Sequence, residues 1–329
     1  MRLETTSFQD SLAVENAELA KFNLKMELVH STNDEEIIRL AKDANVLLTR
    51  DTNITRRIIE NLPRLQGAIR YGIGYDAIDV DAATANGVLV INVPDYCYHE
   101  VSNHAMGMLL MCARKLMFQN NLLRKESWQA ASKLLFPMGS VTGQTLGIIG
   151  CGNIGRMVAG KARAFGLNVI GYDPHVDPKL TKAAGITLKS LPELLQESDY
   201  ITCHPLLWHE TFHIVGEKEF RQMKPTAYII NTSRGPVVDQ PALVKALKEK
   251  WIAGAALDVL ETEPIDRNDP MMHMDNVILT PHSAYYSDEA DVRLRISVAQ
   301  ESARIAHGHF PRNYVNKDVK PKFKLTKEG

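Results

Sequence analysis

The chain is poor in the features that mark specialised protein classes. Its 38 basic and 39 acidic residues leave a net charge of -1, so no global field gathers nucleic acid or an anionic membrane. Four cysteines stand in 329 residues. Cys97, Cys112, Cys151 and Cys203 form no C-x-x-C pair and are too sparse for a disulfide scaffold, which is the pattern of buried thiols in a reducing compartment. No apolar run is long enough to span a bilayer, and the opening MRLETTSFQD carries no apolar signal core. Repeats and low-complexity segments are absent, and no metal is expected. A soluble, cytoplasmic protein follows, with neither nucleic acid nor membrane as partner and with local groups left to hold any substrate. At 45% hydrophobic residues and beyond the usual single-core length, the chain is expected to form two domains.

What is present is alternation. LKMELVH, NVLLTR, LQGAIRYG and GVLVINV read as strands, with DEEIIRLAKD, TRRIIENL and DVDAATAN as the helices between them. The stretch YHEVSNHAMGMLLMCARKLMFQNNLLRKESW repeats apolar residues at helical spacing over many turns. It reads as one long helix starting near Ser102 or Asn103, well packed and shared with a second subunit. From TGQTLGIIG the alternation resumes, with NVIGYD, YITCH, AYIINTS, IAGAALDV and NVILT as strands. SDEADVRLRISVAQESARIAHG forms a closing helix. This order predicts βαβ units and parallel sheets.

Gly150, Gly152 and Gly155 follow the apolar run TLGII and open the helical pattern IGRMVAGKARAFG. Glycine fills no core and costs backbone entropy, so three of them need a reason. The spacing is that of a dinucleotide fingerprint: Gly150 for the tight turn, Gly152 for close approach of a pyrophosphate, Gly155 for helix–strand packing. Asn153 and Ile154 stand at the helix N-terminus, whose amides face the phosphate. About twenty residues on, NVIGYD ends in Asp173, a carboxylate suited to ribose hydroxyls. No arginine follows it to compensate a 2'-phosphate, so NAD is expected rather than NADP.

Three candidates for chemistry follow later strands: Arg234 in INTSRGPVVD, Glu263 in LDVLETEP and His282 in LTPHSA. Singly, each has an ordinary structural explanation. In succession at the carboxyl ends of strands in a dinucleotide fold, where such sheets take their ligands, they point to a reaction.

In YGIGYDAID, GIIGCGNIG, INTSRG, AALDVLETEP and TPHSA the sequence resembles the D-isomer-specific 2-hydroxyacid dehydrogenases, from about NVLLTR to VNKDV. TPHSAYYSDEA and GHFPRNYVNKD draw the likeness toward the C-terminal-binding protein branch, although Tyr285 replaces the usual Trp. The resemblance implies Arg234, Glu263 and His282 as catalytic residues and Asp258 as a partner of the nicotinamide amide. It also implies cofactor contacts at Cys97, Val101, Cys203, His204, Pro205 and Thr232. Ala77 and Cys97 depart from the family's usual Asn and small hydroxyl residue. In chemical terms, His282 would exchange a proton with the substrate oxygen, Glu263 would fix its tautomer, and Arg234 would bind the carboxylate.

The fold so implied is two Rossmann-like parallel-sheet domains, a nucleotide-binding domain (103–286) inserted into a flavodoxin-like substrate domain (1–102 and 287–329). Tyr71, Gly72, Ile73 and Gly74 would supply backbone amides to the substrate, and closure is expected to bring this turn over Arg234. Arg50 and Tyr285 are further substrate candidates, one as a cation that is otherwise solvated, the other as an aromatic wall. The expected activity is NAD-dependent interconversion of a small 2-oxo acid and a D-2-hydroxy acid by a homodimer. An NADH-sensing, peptide-binding corepressor of the C-terminal-binding protein type is the alternative, disfavoured by the absence of a long extension or basic targeting run after VNKD.

Overall fold

The computed structural model describes residues 1–4 and 11–326. The chain divides into two compact units, Met1–Tyr96 with Ser287–Gly329, and Cys97–Tyr286. In the first, β1 (Arg2–Glu4), β2 (Leu28–His30), β3 (Val46–Thr49), β4 (Gly67–Arg70) and β5 (Leu89–Ile91) lie in the order β2-β1-β3-β4-β5. Every pairing is parallel, and the order is that of flavodoxin. All side chains of β3 and β5 are buried, as expected where helices cover both faces of a parallel sheet. Asn33, Thr55 and Asp79 each accept an amide hydrogen bond at the start of a helix, which sets where each helix begins. The closing helix, Asp288–Ala306, is capped by Ser287 and packs on helix Ala13–Ala20 and on β3 and β4.

The second unit carries β6 (Thr145–Ile149), β7 (Asn168–Tyr172), β8 (Thr187–Leu188), β9 (Tyr200–Cys203), β10 (Tyr228–Asn231), β11 (Gly254–Leu257) and β12 (Val277–Leu279). Their order is β12-β11-β10-β9-β6-β7-β8, all parallel. Successive residues feed opposite faces: Ile149, Ile229 and Ala255 enter one buried cluster, Ile148, Ile230 and Ala256 the other. Strand order reverses between β6 and β9. That reversal opens the crevice where doubly wound sheets bind ligands.

The long helix expected from YHEVSNHAMGMLLMCARKLMFQNNLLRKESW is three helices, Tyr98–Ala113, Leu116–Lys125 and Trp128–Lys133. Lys115 interrupts the first pair with φ +51°, and its ammonium donates to the carbonyls of Leu134 and Pro137. Ser127 caps the third helix. Only the first of the three has a substantial buried face; the second buries no residue. Two short strands, β1 and β8, had no sequence signal of their own. All four cysteines are buried thiols, and burial pushes Cys112, Cys151 and Cys203 up to about 12. Among the described residues no helix is long and apolar enough to cross a membrane.

Candidate active site

The glycine turn sits at the strand-order reversal. Ile149 pairs with Cys203 across β6 and β9, and the His204 amide donates to the Ile149 carbonyl at 2.8 Å. Gly150 has φ +89°, and a Cβ there would lie 2.5 Å from the Pro205 nitrogen, so only glycine permits this approach. A Cβ on Gly155 would overlap the Gly150 carbonyl oxygen, whereas one on Gly152 would meet nothing within 4 Å. Two glycines are thus required by the protein itself. Gly152 is left facing open space, the place a pyrophosphate would take.

Helix Asn153–Ala164 begins at Gly152 without a side-chain cap, so its first amides point outward unsatisfied by the protein's own side chains. Asn153 is exposed and bridges the Tyr98 hydroxyl and the Arg156 guanidinium; Ile154 packs into the core. Arg156 also donates to the Cys151 carbonyl at 2.9 Å, adding positive charge beside the turn. Asp173, at the end of β7, accepts from the Cys151, His175 and Val176 amides at 2.9, 2.9 and 3.1 Å. This fixes a carboxylate next to the turn. The residues present therefore fit a dinucleotide: open space over Gly152, unsatisfied helix amides, and an oriented acid.

Beyond β9, Cys203 is fully buried. His204 lies between Thr202 and Thr232, with ring nitrogens 2.9 and 3.5 Å from their hydroxyls. Burial pushes its imidazole down to about 3, so it is neutral and polar rather than charged. Thr232 is buried. Cys97 precedes helix Tyr98–Ala113, and both Cys97 and Val101 are buried.

The three candidate catalytic side chains follow β10, β11 and β12. His282 Nδ1 lies 2.7 Å from Glu263 Oε2, with both side chains more than a third exposed. The His282 backbone adopts φ +51°, an unfavourable region for a residue with a side chain, and its amide donates to the Asp258 carbonyl at 2.8 Å. Glu263 also accepts the Leu260 amide at 2.9 Å. Burial alone would raise the Glu263 carboxyl. The His282 hydrogen bond and charge, the Leu260 amide and the nearby Arg234 charge outweigh it and hold the group below the usual carboxylate range.

Arg234 is brought close to that acid by the next residue. Gly235 lies so tightly on the backbone of Leu260 and Glu261 that no Cβ fits there. Asn231 completes the turn, donating to the Arg234 carbonyl and accepting from Ser233, and Arg234 donates to the Ser233 carbonyl. Asp258 is buried. Its carboxylate accepts from the Thr280 hydroxyl and from the amides of Ser283 and Ala284, and His104 lies 3.6 Å away. Asp258 thus shapes the backbone that carries His282. Tyr285 meets the His282 ring edge-on at 6.2 Å.

In the first unit, the Tyr71 amide donates to the Thr49 carbonyl at 2.8 Å. Its ring is buried and its hydroxyl donates to Glu15 at 3.2 Å. Gly72, with φ +141°, Ile73 and Gly74 continue the turn after β4; the Gly72 carbonyl accepts the Val93 amide and the Ile73 carbonyl accepts the Asn92 side chain. Arg50 is not a solvated cation, because it pairs with Asp291 at 3.3 Å.

Sequence reading missed the supporting groups Arg156, Asn231, His104 and Thr280, and also a second constellation. His213, Asp239 and Glu261 offer ligand atoms within 4.8 Å of one another. Protein groups already engage them: His213 contacts Glu261 at 2.7 Å, Asp239 caps helix Gln240–Lys248, and Glu261 accepts the Gln240 amide. The set fastens the loop that carries Glu263.

Comparison with known proteins bears on this arrangement. Residues 106–284 match the family model described as D-isomer specific 2-hydroxyacid dehydrogenase, NAD binding domain. The chain is 40% identical over 285 residues to a glyoxylate reductase of Korarchaeum cryptofilum, covering 86% of each chain. It is 38% identical over 305 residues to a D-3-phosphoglycerate dehydrogenase of Methanocaldococcus jannaschii, covering 92% of this chain and 57% of that one. Its fold matches the D-lactate dehydrogenase of Aquifex aeolicus complexed with NAD and lactic acid, with a TM-score of 0.84 and 30% identity over 96% of this chain and 99% of the other. The likeness to the C-terminal-binding protein branch gains no support from these relatives. The family model spans more than half of the chain and the relatives cover most of it, so the chain belongs to the D-isomer-specific 2-hydroxyacid dehydrogenase family.

Proposed function

We propose that the chain reduces a small, unphosphorylated 2-oxo acid to the D-2-hydroxy acid, with NADH in preference to NADPH. The observation that carries this reading is the 2.7 Å contact between His282 Nδ1 and Glu263, with the Arg234 charge close enough to act on the same carboxyl. Glu263 orients the ring, leaving Nε2 to exchange a proton with the carbonyl oxygen of the acceptor. Arg234 offers a planar, permanent cation to the substrate carboxylate. The nicotinamide supplies the hydride when bound. Tyr285 is the proposed wall that limits acceptor size.

Asp173 supports NADH, since a 2'-phosphate would meet its charge. Similarity to glyoxylate reductases supports a small acceptor. Exposed Leu116, Met117, Leu123, Trp128 and Phe136 support a homodimer through the second unit, because so many apolar side chains in one segment call for a partner.

The test is oxidation of NADH and NADPH against glyoxylate, hydroxypyruvate, pyruvate, and branched and aromatic 2-oxo acids. The expected result is turnover on the small acids, a higher kcat/KM with NADH, and a narrowed preference in Asp173→Asn. A peptide-binding protein without turnover, or equal use of both cofactors, would overturn the corresponding part.

A further inference from the structure

Within the second unit, the strand ends that carry Arg234 and Glu263 are tied to each other by a residue with no part in the chemistry above. After β10 the chain runs through Arg234, Gly235, Pro236 and Val237 to Asp239, and after β11 through Asp258 to Glu263. A third segment, from His213 to Val215, lies along the first of these. The His213 amide donates to the Pro236 carbonyl at 2.8 Å, the Val215 amide to the Val237 carbonyl at 3.3 Å, and the Asp239 amide to the Val215 carbonyl at 3.0 Å. The backbone thus fixes His213 beside the residue two beyond Arg234.

The His213 side chain crosses to the other segment. Its Nε2 lies 2.7 Å from Glu261 Oε1, with 31% and 26% of the two side chains exposed. An ionised carboxylate only accepts, so the ring donates. The same oxygen accepts the Gln240 amide at 3.0 Å, and the Glu261 amide donates to the Gln240 side chain at 3.1 Å. Glu261 stands two residues before Glu263, so one imidazole joins the Arg234 turn to the Glu263 loop. The His213 backbone also holds φ +51°, a region that glycine or asparagine adopts more readily and that other residues hold only where their surroundings impose it. A histidine here needs a reason beyond the turn, and the Glu261 contact supplies one.

We propose that His213 is a positioning residue for the 2-oxo acid: through Pro236 and Glu261 it sets the spacing between the Arg234 cation and the Glu263–His282 pair. The carboxylate and carbonyl of a 2-oxo acid sit on adjacent carbons, so the group that binds the one and the group that exchanges a proton with the other have one workable spacing. A misplacement of about 1 Å costs roughly a hundredfold in rate, even when it originates far from the chemistry. The proposal rests on the roles proposed above for Arg234 and His282 and deepens them.

Two variants separate the reach of the side chain from the conformation of the backbone. Glutamine carries an amide nitrogen about as far out as Nε2 but has no special ease at positive φ; asparagine takes positive φ readily but ends near the position of Nδ1. With glyoxylate and NADH, His213→Asn should lower kcat/KM roughly tenfold or more, and His213→Gln should stay within about threefold of wild type, because only the first loses the Glu261 contact. NADH binding, read by fluorescence titration, should be the same in all three proteins. Binding of oxamate, an unreactive analogue of the acid, to the NADH complex should weaken along with kcat/KM. A purely structural residue gives another pattern: a lower melt with wild-type kcat/KM per folded molecule, or asparagine no worse a replacement than glutamine. Either result overturns the proposal, as does a matching loss of NADH affinity. Should His213→Asn not fold, Glu261→Gln decides, because it keeps an acceptor oxygen and removes the charge: kcat/KM lowered about threefold with NADH binding intact supports the proposal, and unchanged kcat/KM overturns it. In each of these cases turnover by the wild type leaves 2-oxo acid reduction standing; absence of that turnover overturns the reductase reading and this proposal with it.

Discussion

Each unit contains a carboxylate bound to basic groups, and the two are built oppositely. Glu15 in the first unit is fully buried and is met by Arg2, Arg295 and the Tyr71 hydroxyl. Glu263 in the second keeps more than a third of its side chain in water and meets one imidazole. A buried ion is tolerated only with its complete set of partners, and removing any member leaves an uncompensated charge. Such a group cannot take part in a proton cycle. An exposed acid–imidazole pair can exchange protons with solvent at small structural cost, which is why chemistry is proposed for the second cluster and rigidity for the first.

The comparison breaks if the two clusters can exchange roles. His282→Ala should lower kcat by roughly a hundredfold or more, the usual scale for a general acid, with NADH binding unchanged and the melting temperature only slightly lower. Glu15→Gln should do the reverse: a loss of about 3–5 kcal/mol of stability, as when one partner of a buried pair is removed, with turnover per folded molecule retained. Thermal melts and steady-state kinetics on both variants check this. Wild-type turnover in the first, or an unchanged melt in the second, would contradict the assignment.

The nucleotide half of the site was legible because its signals are local. Three glycines, a strand before them, a helix after them and Asp173 lie within one βαβ unit, and each has a physical reason visible in sequence. Arg234, Glu263 and His282 were legible as residues after strands, and family resemblance supplied their roles. Their supports were not: Gly235 lies on Leu260, and Asp258 gathers the amides of Ser283 and Ala284, contacts that depend on strand order. For Arg50, named as a substrate candidate with solvation as the alternative, nothing in the local sequence signals the pairing with Asp291, which lies 241 residues away. Tyr71 was named for its backbone amide; that this amide pairs with the Thr49 carbonyl and the hydroxyl with Glu15 depends on strand order, which the local sequence does not carry. The single long helix failed because apolar spacing continues through Lys115, while Leu116, Met117 and Leu123 are exposed and carry no information about the unit's own core.

The contrast between structural and functional groups can be sharpened within the glycine turn itself. A methyl group on Gly155 would overlap the Gly150 carbonyl, a backbone atom that cannot swing aside, whereas one on Gly152 would find open space. Gly155→Ala should destabilise the protein by about 1–3 kcal/mol, the cost of overpacking. Gly152, with φ -66°, tolerates a side chain. Gly152→Ala should therefore fold normally yet bind NADH roughly tenfold more weakly, a loss of about 1.4 kcal/mol. Fluorescence titration with NADH and thermal melts separate the two effects. A stable Gly155→Ala protein would contradict the packing role of Gly155, and unimpaired binding by Gly152→Ala would place the phosphate elsewhere.

The smallest expected effect concerns the protonation of Glu263. Its carboxyl is held below the usual range in the folded protein: burial opposes ionisation, and His282, the Leu260 amide and Arg234 prevail. A lowered folded-state value means that the ionised acid adds stability above its unfolded value of about 4.3, and that this contribution disappears as pH falls through the folded value. Because the side chain is partly exposed, water screens the pair and the gain is modest. Glu263→Gln should consequently melt slightly below wild type at neutral pH, and the gap should close as pH drops below about 4. The substituted amide still has an oxygen to accept from Nδ1 but no ionisable carboxyl, so the acid limb of its turnover should no longer report a carboxylate. A melting difference that widens toward low pH would mean that Glu263 is protonated more readily in the folded protein than in the unfolded chain, the opposite of the lowered carboxyl described here.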